Sequence, residues 1–365
     1  VVWWRVDILR GEEERCPDLH CLYAEHLSAA LAAPGSDAVS AAATFAHGFV
    51  HAQVPLPALL AAVPALLLPS TASLALVGVL TTLLAWWCVR RIVVTAWRPD
   101  PATLVMVAVA YFSSAAVLRG FARPITDPVG MACSIASLLA LERHVATRTR
   151  ASAARLAALQ LVGLFSRVSF IPMLGMPVLA ELLAGGATSE RLRRAVRAGI
   201  AFGLAPGAAY FAIVTLLGIE HTVWMWESAH LPQFVPPDRT RALVATLAVA
   251  GGPYLLLGAL ALLAPAWRRD PTLRLHLAWI ALYTAFLYLG GGALWLRYFA
   301  PIAPSVVVVA TPALAALVRR RRAAAVALVA AVAALQLAAV VRWIGDPRPL
   351  LAARTAREAP PATTP

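Results

Sequence analysis

The sequence predicts an all-α, polytopic membrane helix bundle of about eight to ten membrane segments. Three observations carry that prediction. Of 365 residues, 61% are hydrophobic and 13% charged, with a mean hydropathy of +0.75, against about 45–50% and about 25% in a soluble domain. The apolar residues gather into runs of helix length, and the arginines cluster between the runs. A chain of this length cannot enclose so much apolar side chain in water, which excludes a soluble enzyme, a disordered protein and a disulfide scaffold. The net charge of +13 would point a soluble protein toward nucleic acid. Here the cations sit at the ends of apolar runs, so no nucleic-acid partner is expected.

Taken in order, residues 1–52 form an acidic segment too polar to enter a membrane. It holds Asp7, Glu12, Glu13, Glu14, Asp18, Glu25 and Asp37, seven of the 18 acidic residues. Val1-Val2-Trp3-Trp4 directly before Arg5 reads as the trailing edge of a longer element, with a membrane helix ahead of Val1 as one form of it. Cys16 and Cys21 can pair in an oxidising compartment, and their spacing with His20 and His26 fits no tight zinc pattern. Residues 53–341 form the bundle, with apolar runs near 53–69, 73–89, 101–118, 127–142, 157–182, 198–218, 241–264, 276–292, 300–318 and 323–341. Their Ala, Leu and Val content favours helix over barrel strand. The tail 342–365, with Pro347, Pro349, Pro360, Pro361 and Pro365, reads as disordered.

Orientation follows from arginine, since the chain has no lysine. Clusters at Arg90/Arg91/Arg98, Arg143/Arg148/Arg150/Arg155, Arg191/Arg193/Arg194/Arg197, Arg268/Arg269/Arg274 and Arg319 to Arg322 are predicted cytoplasmic. The loops 119–127, 219–240 and 293–299 then face outward, as do the acidic segment with its surface helices and the tail. Run 157–182 lies between two cytoplasmic clusters and must leave and return on one side. Its Ser166-Arg167-Val168-Ser169 break and Pro172 predict two short helices or a re-entrant hairpin. Run 53–69, with four prolines, is predicted to be short or half-buried.

Several polar residues can carry chemistry. Asp127, in Arg123-Pro124-Ile125-Thr126-Asp127-Pro128, serves either as a helix N-cap or as an acid among the cations Arg119 and Arg123. Asp18 stands near Tyr23 on a short amphipathic stretch, as a cap or as a general base at the membrane boundary. His47 and His51 precede Pro55-Leu56-Pro57, where a polar approach to the membrane fits better than a metal site. Arg297, flanked by Trp295 and Tyr298, is either a snorkelling belt residue or a phosphate clamp. Arg167 sits at membrane depth, where a guanidinium needs a cavity or a partner.

In arrangement these residues resemble the GT-C superfamily of membrane glycosyltransferases that use polyprenyl-phosphate-linked sugars, of the bacterial mannosyltransferase and aminoarabinose-transferase kind. Asp18 to Tyr23 is similar to that family's first outer loop, although Asp18 stands five residues before the tyrosine and not the usual four. His51 to Pro57 resembles the re-entry into the membrane, Arg123 to Asp127 the second outer loop, Leu164 to Arg167 the broken helix after it, and Arg297-Tyr298 through Pro304 the late outer-end motif.

The resemblance implies inverting glycosyl transfer to an acceptor hydroxyl at the outer face of a membrane, expected to be the bacterial plasma membrane. Asp18 would act as base, with Asp127 assisting phosphate-side geometry or acceptor binding. Arg297, with Arg123 or Arg167, would stabilise the departing lipid phosphate. Membrane lipid and a polyprenyl-phosphate sugar donor are the implied partners. A divalent cation stays open, because the family contains members with and without one. Two rivals stand beside this reading: a transporter or flippase for a lipid-linked anion, and a non-catalytic scaffold. Only the first reading needs an outer base.

Overall fold

The computed structural model describes residues 56–122, 127–216, 239–289 and 296–344. The acidic segment 1–52 and most of loop 219–240 lie outside them, as does the tail from 345. Among the described residues the regular structure is helical throughout and contains no strand. Seven helices are long and apolar enough to cross a membrane: Ala72–Trp97, Asp127–Thr147, Thr188–Ile213, Arg239–Ala261, Pro271–Leu289, Tyr298–Arg320 and Arg322–Val341. The runs 53–69, 101–118 and 157–182 instead give the shorter apolar helices Leu56–Ala65, Pro101–Phe112 and Phe170–Leu183.

The elements that follow are α1 (Leu56–Ala65), α2 (Ser70–Trp97), α3 (Pro101–Phe112), α4 (Ala115–Ala122), α5 (Asp127–Thr147) and α6 (Arg150–Ser166). A 3-10 segment, Val168–Gly175, leads to α7 (Met176–Leu183) and α8 (Thr188–Gly199). A π-turn, Ile200–Leu204, joins α8 to α9 (Ala205–Leu216). Then come α10 (Arg239–Ala261), α11 (Pro265–Arg268), α12 (Pro271–Leu289), the 3-10 turn Leu296–Ile302, α13 (Ala303–Arg320) and α14 (Arg322–Ile344).

The core is built around α13. Over an 18-residue apolar stretch of each helix, 83% of the residues are buried in Tyr298–Arg320, against 22% in Arg239–Ala261 and 28% in Arg322–Val341. Val306, Val307, Val308 and Val309 are all enclosed, as expected of a helix apolar on every side. Helix α10 packs on it at two glycines. A Cβ at Gly251 would lie 2.8 Å from Val306 Cγ1, and one at Gly258 would lie 2.9 Å from Val309 Cγ2. Gly251 has φ of 146°, a conformation that glycine adopts without penalty, and the helix kinks there two residues before Pro253.

Two breaks shape the bundle. The run 101–118 stops at Ser113–Ser114, a break absent from the sequence expectations. The backbone N–H of Ala115 donates to Gln336 Oε1 at 2.6 Å, so a side chain of α14 satisfies the group the break releases. The run 157–182 breaks as expected. Helix α6 ends at Ser166, and Arg167 is extended (φ −170°, ψ 141°). The 3-10 segment carries Pro172, and Gln160 Nε2 donates to the Met173 carbonyl at 3.2 Å. Glu181, near the end of α7, is ion-paired with Arg148, two residues before α6. The chain therefore leaves and returns at one end of the bundle. The cluster Arg191 to Arg197 is helical and not a loop, because α8 runs through the π-turn into α9 as one span.

Phe170 locks the break: its ring fills the space a side chain at Gly163 would need, with Cζ 2.1 Å from the Cβ position. Both residues are buried, so the ring has no vacant volume to enter. Gly163→Ala is expected to cost about 1–3 kcal/mol by overpacking, read as a lower Tm of the detergent-solubilised chain. Adding Phe170→Leu should restore part of it. An unchanged Tm in the single variant would mean that Phe170 does not hold the break.

Candidate functional site

The site forms where three separate parts of the chain meet at the bundle end away from the arginine clusters. Helix α5 contributes its first residue, Asp127, the break after α6 contributes Arg167, and the 3-10 turn before α13 contributes Tyr298. An extended residue between two helices projects its side chain sideways, and that conformation turns Arg167 toward the start of α5. Arg167 Nη1 pairs with Asp127 Oδ1, with side chains 12% and 5% exposed. The guanidinium also lies over the Tyr298 ring, 5.1 Å from its centroid, within the range of a cation–π contact.

Neighbouring residues hold this arrangement. A Cβ on Gly130 would come within 3.3 Å of Arg167 Cδ, so the glycine one turn into α5 leaves room for the arginine stem. Ser166 Oγ donates to the Gly163 carbonyl at 2.6 Å, and Ser134 Oγ to that of Gly130 at 2.9 Å. Tyr283 Oη donates to the Tyr298 carbonyl at 2.6 Å and Trp279 Nε1 to that of Pro301 at 3.3 Å. Two buried rings of α12 thereby fix the turn that carries Tyr298. Asp127 Oδ2 is buried with no hydrogen-bond partner among the described residues.

Of the residues singled out in the sequence, the structure joins Asp127, Arg167 and Tyr298. Asp18, Tyr23, His51 and Arg123 lie outside the described residues, and so do the side chains of Arg119 and Arg297. The backbone of Arg297 belongs to the same 3-10 turn as Tyr298. Sequence reasoning passed over Gly130, Trp279 and Tyr283, whose roles depend on what packs against them. No group of three or more His, Cys, Asp or Glu able to hold a metal ion occurs among the described residues.

A second ionic cluster lies at the arginine-rich end. Glu181, 3% exposed, takes Arg148, through Nη2 to Oε2 at 3.0 Å, and Arg194 Nε to Oε2 at 3.1 Å. Its signal in the sequence was a lone acid in the apolar helix MPVLAELL, the counterpart of the lone Arg167. Comparison with protein-family models, with curated proteins and with solved structures found no match in any of the three.

Removing one member of a buried ion pair leaves the other uncompensated, at a cost of about 3–5 kcal/mol, whereas an apolar replacement of both is close to neutral. Arg167→Leu is therefore expected to lower the Tm strongly, and Asp127→Leu with Arg167→Leu to recover most of the loss. A double variant no more stable than the single one would show that the two charges do not depend on each other.

Proposed function

We propose that the chain is an integral membrane glycosyltransferase that takes its sugar from a polyprenyl-phosphate donor at the bundle end carrying Asp127 and Arg167. In this reading the long apolar helices cross a bacterial plasma membrane, the arginine clusters face the cytoplasm and the Asp127–Arg167 end faces outward. The observation that carries it is the buried Asp127–Arg167 pair beneath the Tyr298 ring. Ionisable groups at such depth are costly, and they are kept where a pathway or a reaction needs them.

The roles follow from charge. The acceptor hydroxyl oxygen attacks the anomeric carbon, and the bond from that carbon to the phosphate oxygen breaks. The electron pair leaves with the polyprenyl phosphate. Asp18 takes the hydroxyl proton, and Arg167, with Arg297 or Arg123, meets the negative charge growing on the leaving phosphate. A guanidinium carries five N–H donors, so it can hold a phosphate oxygen while keeping its carboxylate. Asp127 is then a positioning residue: it fixes the guanidinium before the donor arrives, which avoids reorganisation during the reaction. A broken helix at membrane depth also suits the transport of a lipid-linked anion, in which no bond is cleaved.

The test uses the purified chain in proteoliposomes, supplied with a panel of polyprenyl-phosphate sugars and a cell-envelope acceptor fraction. Release of polyprenyl phosphate is expected from the wild type. Arg167→Lys, which keeps the charge and loses the planar fork, should lower kcat by about 10²–10³. Asp18→Asn should abolish release while donor binding persists. Donor carried across the bilayer with its glycosidic bond intact would replace this reading with transport, and inertness toward both would refute both.

A further inference from the structure

At the arginine-rich end a cavity of about 530 Å³, open to one side, lies between the C-terminal ends of α2, α5 and α7 and the start of α12. Fifteen residues of α5 separate Asp127 from Glu142, which lines this cavity, or about 22 Å along the helix. It is therefore a different place from the Asp127–Arg167 site. Ile92, Leu139, Ala180 and Leu275 supply apolar wall, and Trp97, whose Nε1 donates to Asp270 Oδ2 at 2.8 Å, ties α2 to the start of α12 beside it.

The polar lining has an unbalanced charge. Arg143 and Arg274 both line the cavity, and neither side chain makes an ion pair or hydrogen bond among the described residues. The nearby Arg148 and Arg194 are already committed to Glu181. Glu142 Oε1 and Nε2 of the fully buried His276 stand 3.7 Å apart, and neither atom has a hydrogen-bond partner among the described residues. Ser305 Oγ occupies the other ring nitrogen of His276, at 2.8 Å. The Glu142 side chain is 20% exposed and lines the cavity, so its carboxylate can accept a hydrogen bond from an occupant.

Depth narrows what the occupant is. Arg143 lies four residues before the end of the span Asp127–Thr147, and Arg274 is the fourth residue of Pro271–Leu289. Where these helices cross a bilayer, the two guanidinia stand at headgroup level with the apolar wall beside them. Basic pockets between membrane helices at that level take anionic lipid headgroups.

We propose that the cavity binds an anionic phospholipid whose headgroup carries hydroxyls. Its phosphate lies against Arg143 and Arg274, a headgroup hydroxyl donates to Glu142, and the start of an acyl chain runs along Leu139 and Leu275. The proposal rests on the membrane part of the reading above and not on sugar transfer, which is measured separately.

Native mass spectrometry of the delipidated full chain tests it, with phosphatidylglycerol, phosphatidylcholine and glycerol phosphate as probes. The wild type is expected to retain phosphatidylglycerol about tenfold or more over phosphatidylcholine. Arg143→Ala with Arg274→Ala should remove that preference, and Ala146→Trp, which fills the cavity from its exposed rim, should reduce retention with both arginines present. Equal retention of the two lipids, an unchanged preference in the double variant, or equally tight binding of glycerol phosphate alone would overturn the proposal. Transfer activity that survives the loss of lipid binding would leave the glycosyltransferase reading standing.

Discussion

A charge inside an apolar bundle must find its opposite, and the Asp127–Arg167 pair is where this structure meets that constraint most sharply. Arg167 cannot be buried among aliphatic side chains alone, because an unpaired guanidinium there is costly by several kcal/mol. Its pairing requires the helix to stop at Ser166, so that an extended residue can turn its side chain across to α5. It requires glycine at 130 to clear the stem and an aromatic ring at 298 to cover the cation. The interrupted helix, the small residue and the anchored 3-10 turn are three answers to one electrostatic demand.

The opposite end repeats the principle with the sign reversed. Glu181 is the lone acid of α7, and Arg148 from the connection before α6 and Arg194 from α8 converge on it. That cluster closes the re-entrant segment back on the start of α6, so a single buried carboxylate decides where residues 167–183 return. The two ends differ in what they leave over. At the first, the charges of Asp127 and Arg167 offset one another. At the second, two arginines, Arg143 and Arg274, line the cavity against the single carboxylate of Glu142, and that excess of positive charge gives that end its capacity for an anion.

Much of the fold could be read from the sequence, because apolar length and arginine spacing are one-dimensional properties. The Arg167–Pro172 interruption is local in the same sense. The break at Ser113–Ser114 was not legible. It depends on Gln336, 221 residues away from Ala115, supplying an acceptor, and nothing near position 113 records that partner. Gly251 and Gly258 were equally silent, since a glycine in an apolar run carries no sign of the valine that will press against it.

The sequence by itself determined that this chain is a bundle of apolar helices, that its runs 53–69 and 157–182 are short or interrupted, and that Asp127 and Arg167 are charges set at or within apolar runs. Hydropathy, proline and charge act locally, so one residue after another reveals them. Only the tertiary structure decided that those two residues are partners, that Tyr298 covers them, and that α13 and no other helix is the centre. Pairing and burial depend on which surfaces of distant helices meet. Among helices that are all apolar, that choice is made by the fit of glycine against valine and carboxylate against guanidinium, which no single stretch of sequence contains.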